Sequence, residues 1–319
     1  MDINTLKNIL QENGIVGAGG AGFPTYAKLD ERANTILLNC AECEPLLKLH
    51  RQLLEKHAYE IMKTFSMVAD VVGADEAIIG VKESYKDTVK ALETYIDEFP
   101  KVKIHQLPEV YPMGDEVVLI YEATGRVVRP GGLPIEQGVA VFNVETIYNV
   151  YRAVEKNHPV TDKLVSVVAE VEHPVTVRVP LGTTIGEVVA LAGVTTVKDP
   201  VYFVGGPMMG FALYDLHVPC TKTSSAFLFM EHDAVSESQA IQTACINCGR
   251  CVGVCPGHVL PARLATLAER GDMAGFEALD GMECCECGCC SYICPAKRPL
   301  TQSIKSMRKM VLAERKKKK

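Results

Sequence analysis

"GIVGAGGAGFPTYAKL", residues 14–29, decides how the N-terminal half of the chain is to be read. Gly17, Gly19 and Gly22 satisfy the pattern G-x-G-x-x-G. A dinucleotide fingerprint of that form follows a strand and opens a helix. Here the preceding "INTLKNILQENG" has a helical pattern, and Phe23-Pro24 follows the glycines directly. The strand-then-helix context is missing. What remains is a loop with four glycines within residues 17–22, whose bare backbone N–H groups can cradle a phosphate or lie against a flat ring. A merely tight turn is the plainer reading, and it does not account for so many glycines.

Downstream of that loop, short apolar runs alternate with amphipathic ones. "TILLNC" (35–40) and "EAIIGV" (76–81) read as buried strands. "LLKLHRQLLEKHAYEIMKTFSMVADVV" (46–72) and "YKDTVKALETYI" (85–96) read as helices between them. The alternation predicts an α/β domain over residues 1–160 with a mainly parallel sheet. From 161 to 232 the pattern changes. "KLVSVVAEV" and "PVTVRVPLG" read as a strand pair, "TIGEVVALAG" as a helix, and "VYFVGGPMMG" as a return to the sheet. This is a small α+β unit in which Gly205, Gly206 and Gly210 are expected to shape a turn facing the first domain.

Residues 233–319 carry the strongest signal. "CINCGRCVGVCP" (245–256) places Cys245, Cys248, Cys251 and Cys255 as C-x2-C-x2-C-x3-C before Pro256. "CCECGCCSYICP" (284–295) repeats the spacing 39 positions later with Cys284, Cys287, Cys290 and Cys294 before Pro295. That is the spacing of bacterial two-cluster ferredoxins, in which the fourth cysteine of each run ligates the other cluster. One [4Fe–4S] cluster is therefore assigned to Cys245, Cys248, Cys251 and Cys294, and a second to Cys284, Cys287, Cys290 and Cys255. Zinc is the competing reading, but structural zinc is usually held by two separated ligand pairs. The link 256–283 is rich in Ala, Leu, Arg and Glu with a break at Arg270-Gly271-Asp272, which predicts two short helices. The segment after Pro295 reads as another helix. The module is thus expected to be an α-helical ferredoxin, with Cys285 and Cys289 only lining a cluster pocket.

Bulk properties narrow the function classes. The chain has 319 residues, 48% of them hydrophobic, and a formal net charge of −6, which argues against a general nucleic-acid binder. No run approaches the length of a membrane-spanning helix, and "MDINTLKNIL" does not read as a secretory signal. The cytoplasm is the expected compartment, where thirteen cysteines would serve metal or redox chemistry rather than disulfides. The basic tail "ERKKKK" (314–319) reads as a solvated helix end. In "NCAECEP" (39–45) and "YPMGDE" (111–116), each set of carboxylates taken alone would read as helix caps. Cys40 and Cys43 lack a second pair and read as pocket-lining thiols.

Taken together, and in this order, "GAGGAGFPT..KL", "N.AE.EP", "Y..GDE" and "NVET" (143–146) resemble the NADH-binding flavoprotein subunit of respiratory complex I. They also resemble the C subunit of the Rnf complex and the cobalamin reductase of propanediol-utilisation microcompartments. The likeness runs from about residue 14 through the second cysteine run. It implies a Rossmann-like FMN/NADH-binding domain, a soluble-ligand-binding β-grasp domain, and then the two-cluster module. It implies FMN at Gly17, Gly19 and Gly20, with Lys28 near the phosphate. Asn39, Glu42, Tyr111, Gly114, Asp115, Glu116, Asn143 and Thr146 fall on the other flavin-contacting positions. Phe23 and Glu44 match positions that meet NADH. The complex I relative has an aspartate where this chain has Ala41. Its single-cluster bundle is replaced by two cysteine runs, and the domain preceding the loop in the Rnf relative is missing. The arrangement looks closer to the cobalamin-reductase branch.

The expected activity is oxidation of NADH through FMN and two [4Fe–4S] clusters to a corrinoid or ferredoxin-type acceptor, in the cytoplasm, within a microcompartment or on the periphery of a membrane complex. Partner enzymes or complex subunits are expected. No side chain is assigned an acid or base role. The competing expectation is an electron-relay and docking subunit of an Rnf-type complex that does not itself bind NADH.

Overall fold

The computed structural model describes residues 1–129, 131–193, 200–231 and 241–317. The chain divides into two compact units, Met1–Val128 with Gly132–Glu231, and Arg129–Gly131 with His232–Lys319. The expected boundary at 232–233 and the last two residues of the basic tail lie outside the described residues.

The first unit opens with α1 (Ile3–Glu12), capped by Asp2, and the glycine loop follows it. Four parallel strands then form a sheet: β1 (Thr35–Cys40), β2 (Glu76–Lys82), β3 (Val102–Leu107) and β4 (Val139–Asn143), in the order β3-β2-β1-β4. Helices α2 (Leu49–Val72), α3 (Lys86–Glu93), α4 (Glu116–Thr124) and α5 (Val144–Lys156) flank it. Alternate strand residues face opposite sides. Ile36, Leu38, Ile79, Val81 and Phe142 pack with α1, α2, α3 and α5, whereas Leu37, Ile78, Val139 and Val141 pack with Leu119 and Ile120 of α4. Both faces of β1, β2 and β4 are covered, which is why these three are near-continuous apolar runs. The chain passes from β1 to β2 on one side while β4 lies on the other, so the carboxyl ends of β1 and β4 flank a topological switch point. Asn39 and Asn143 are register partners there.

The same unit holds a five-stranded mixed sheet: β5 (Asp162–Ala169), β6 (Val175–Pro180), β7 (Val201–Val204), β8 (Phe211–Leu213) and β9 (Ala226–Met230). Its order is β6-β5-β9-β7-β8, with β5 and β9 parallel and the other pairs antiparallel. α6 (Ile185–Ala190), started by a Thr184–Glu187 capping box, lays Ile185 and Val188 on this sheet. Glu145 at the start of α5 forms an ion pair with Lys163 of β5, both almost wholly buried, and also accepts the Leu164 amide.

In the second unit the two cysteine runs share a backbone pattern. Left-handed residues recur at Asn247 and Glu286, at Gly249 and Gly288, and at His258 and Lys297, each pair 39 positions apart. Each run leads into a short helix, α7 (Arg250–Gly253) or α10 (Cys289–Ile293). Each is followed by a longer helix starting at equivalent positions, α8 (Pro261–Glu269) and α11 (Leu300–Lys317). Between them lies α9 (Met273–Ala278), capped by Asp272. The link is therefore two helices broken at Arg270–Asp272, and no strand crosses it. Leu264, Phe276, Ile304, Met307 and Val311 form the core with Cys251 and Cys290.

Candidate functional site

The glycine loop sits against the first turn of α5. Ala18 donates its backbone N–H to Thr146 Oγ1 at 3.0 Å. Asn143 caps α5, its Oδ1 accepting the Glu145 amide at 2.9 Å and the Thr146 amide at 3.4 Å. A side chain at Gly19 would come within 3.0 Å of Asn143 Nδ2, so only glycine lets the loop approach this closely. Gly20 has φ +111° with open space beside it, and Gly19 and Gly20 are exposed. The loop thus presents bare backbone beside the carboxyl ends of β1 and β4, a cradle that a Cβ would fill. Gly17 closes its base, donating to the Phe23 carbonyl at 2.8 Å. Phe23 stands 48% exposed at the loop's end, with Lys28 Nζ 5.9 Å from its ring centre.

Lys28 reaches back under the sheet, donating to Glu116 at 3.1 Å and to the Val141 carbonyl at 2.9 Å. Asp115 caps α4 through the Val117 and Val118 amides. Asn39 Nδ2 donates to the Gly114 carbonyl at 2.9 Å, and the Gly114 N–H donates to Cys43 Sγ at 2.8 Å. The segment holding Tyr111 and Gly114 is thereby tied to the end of β1. Burial pushes the thiols of Cys40 and Cys43 up from their ordinary range.

Glu42 caps α2, accepting the His50 and Arg51 amides at 3.0 and 3.3 Å, and is ion-paired with the Arg51 guanidinium. The cap reading of "NCAECEP" and "YPMGDE" therefore holds for Glu42 and Asp115. Arg51 lies 4.1 Å from the Tyr85 ring centre, and the Tyr85 hydroxyl donates to the carbonyls of Ala41 and Glu42. His50, Arg51 and Tyr85 carry no local sequence signal; long-range packing alone brings them here. Glu44 points elsewhere, its carboxylate accepting the Met208 and Met209 amides at 2.9 Å each. A Cβ at Gly206 would overlap that carboxylate, which explains the glycine in the turn. Burial raises the Glu44 carboxyl above its usual range while the two amides oppose it.

In the second unit the sulfurs line two cavities. Cys245, Cys248, Cys251 and Cys294 line one, together with Arg263 and Arg298. Cys255, Cys284, Cys287 and Cys290 line the other, with Cys285 and Cys289 on its wall. Of the eight repeated cysteines, each cavity therefore draws the first three of one run and the last of the other. Among the described residues no group of three or more His, Cys, Asp or Glu side chains is arranged to hold a single metal ion. Soft thiolates spread around a cavity would suit the irons of a polynuclear cluster. Burial pushes the Cys284 thiol up to about 11. Cys290 donates to or accepts from Thr301 Oγ1 at 3.3 Å.

Residues 10–152 match the family model described as the Nuo51 FMN-binding domain. Cobalamin reductase PduS of Citrobacter freundii is 38% identical over 92% of this chain and 68% of its own length. The C subunit of the Na(+)-translocating ferredoxin:NAD(+) oxidoreductase complex of Acetobacterium woodii is 34% identical over 99% of this chain and 72% of its own. An NAD+-reducing [NiFe]-hydrogenase in the H2-reduced state shares the fold, with a TM-score of 0.69 at 20% identity over 98% of this chain and 61% of that one. No helix among the described residues is long and apolar enough to cross a membrane. With an FMN-binding domain at one end and paired cysteine runs at the other, the chain belongs to the family of flavo-iron–sulfur oxidoreductases that includes cobalamin reductase PduS and the C subunit of the Rnf complexes.

Proposed function

We propose that this chain oxidises NADH and passes the electrons, through FMN and two [4Fe–4S] clusters, to a one-electron acceptor of the corrinoid or ferredoxin type. The observation that carries the reading is the crosswise grouping of the eight repeated cysteines into two cavities in a chain that also has an FMN-binding domain. FMN, when bound, supplies the conversion between two-electron and one-electron transfer, and the protein supplies positioning and electrostatics.

The duties of the residues follow. Gly17, Gly19 and Gly20 offer backbone N–H groups to the phosphate or the ring face. Asn143 and Thr146 support that loop from below, and Lys28 supplies the cation. Asn39, Gly114 and Tyr111 form the wall at the end of β1, with Glu42 and Asp115 holding the neighbouring helix starts and Glu116 paired with Lys28. Phe23, half exposed beside the loop, is the surface on which a nicotinamide ring stacks. The strand order of the second sheet, with its last strand inserted parallel to its first, supports reading it as a β-grasp domain over 161–232. Residues 233–319 then form the cluster module.

Anaerobically purified protein should contain about one flavin and about eight irons per chain, as two cubanes require. Mixing with NADH should bleach the flavin before the clusters. A colourless, zinc-loaded protein would end this reading. One observation favours a second reading, a relay that never meets NADH: the Glu44 carboxylate is already taken by two backbone amides. Persistent flavin colour after mixing with NADH, with full reduction by dithionite, would select the relay.

A further inference from the structure

His50, the second residue of α2, meets the residue that caps α5. Its Nε2 lies 3.1 Å from Asn143 Nδ2. The orientation of the Asn143 amide is fixed by its cap: Oδ1 accepts the Glu145 and Thr146 amides, so the group facing His50 is the NH2 donor. Nε2 must therefore be the acceptor, and the ring carries its proton on Nδ1. That Nδ1 faces Glu42 Oε1 at 3.8 Å. Asn143 Nδ2 is also the atom that a Cβ at Gly19 would meet, at 3.0 Å. A single neutral imidazole thus braces the amide that supports the glycine loop.

We propose, resting on the reading of that loop as the FMN site, that His50 is a positioning residue for flavin binding and that only its neutral form does the work. A proton on Nε2 turns the acceptor into a donor and sets two N–H groups against each other at the present separation. Asn143 must then leave either His50 or its place under Gly19. The charged groups facing the ring are Glu42, from the loop after β1, and Arg51, from the same helix. Tyr85 lies behind Arg51, and Glu145 is turned away to Lys163 and the Leu164 amide.

The test is equilibrium FMN binding to the full chain, followed by quenching of flavin fluorescence between pH 5 and pH 8. The FMN phosphate titrates near pH 6 on its own account, so the comparison is between proteins. Wild type should lose affinity more steeply in acid than His50→Gln, which keeps an acceptor and cannot be protonated; the slopes should differ by one proton. His50→Lys, a donor only, should bind roughly tenfold more weakly at pH 8, the value of one lost hydrogen bond. In wild type, saturating FMN should lower the His50 pKa read by NMR, because a ligand that prefers the neutral form must stabilise it. Equal acid slopes in wild type and His50→Gln, or an unmoved His50 titration, overturn the proposal while leaving the flavin site intact. Failure of all the proteins to bind FMN at any pH overturns the flavin reading and this proposal with it.

Discussion

Replacing Lys163 with Met tests whether the two sheets of the first unit are held by a buried charge. The Lys163 and Glu145 side chains are 2% and 3% exposed, and Glu145 also accepts the Leu164 amide. Methionine fills the volume but strands the carboxylate, a loss of about 3–5 kcal/mol for a buried pair broken on one side. At roughly 2–4 °C per kcal/mol for a unit of this size, the midpoint should fall by about 6–20 °C. Removing both charges, with Glu145→Leu added, should recover part of the loss. It leaves the Leu164 amide unpaired, at about 1–3 kcal/mol. The chain has no Trp, and of its eleven Tyr only Tyr292 lies in the second unit. Tyrosine fluorescence during urea unfolding of the flavin-free protein therefore reports the first unit. The reasoning is refuted if Lys163→Met costs less than about 1 kcal/mol, or if the double variant loses the full sum of the two single losses.

The cavity linings assign one sulfur of each run to the opposite site. Cys294→Ser should remove the cluster of Cys245, Cys248 and Cys251, and Cys255→Ser that of Cys284, Cys287 and Cys290, each halving the iron content. Electron paramagnetic resonance would show which signal each variant keeps. Gly206→Ala should displace the Glu44 carboxylate and destabilise the first unit by about 1–3 kcal/mol, with Glu44→Ala suppressing much of that effect in a double-mutant cycle. Gly20→Ala meets no neighbour but strains a backbone at φ +111°, at about 1–3 kcal/mol. FMN titration should show weaker binding with unchanged iron.

Much of this architecture can be read directly from local pattern. "TILLNC" and "EAIIGV" read as strands because both of their faces are covered, which leaves residues 36–38 and 77–79 as unbroken apolar runs. The link between the cysteine runs announces its two helices through composition and its break through Gly271. β3 is harder: "VKIHQL" lies at the sheet edge, where Lys103 and His105 are tolerated. β4 is short and merges into the cap of α5 at Asn143. The glycine loop precedes β1 rather than following it, so its partners come from α5, far along the chain. His50 could not be found from sequence at all, since a histidine on an amphipathic helix is ordinary until Asn143 is packed against it.

The interleaving of the two cysteine loops has a bearing on biogenesis. Neither compartment is closed when the first loop alone has left the ribosome. The one walled by Cys255 has its last sulfur once residue 290 has been made, and the other waits for Cys294. If the compartments hold iron–sulfur clusters as proposed, iron delivered to a nascent chain before that point finds an incomplete set of repeated cysteines in each, so insertion of inorganic sulfide and iron waits for the second loop. The same interlock couples the duplicated halves, because loss of Cys255 or Cys294 opens the compartment that belongs mostly to the other run.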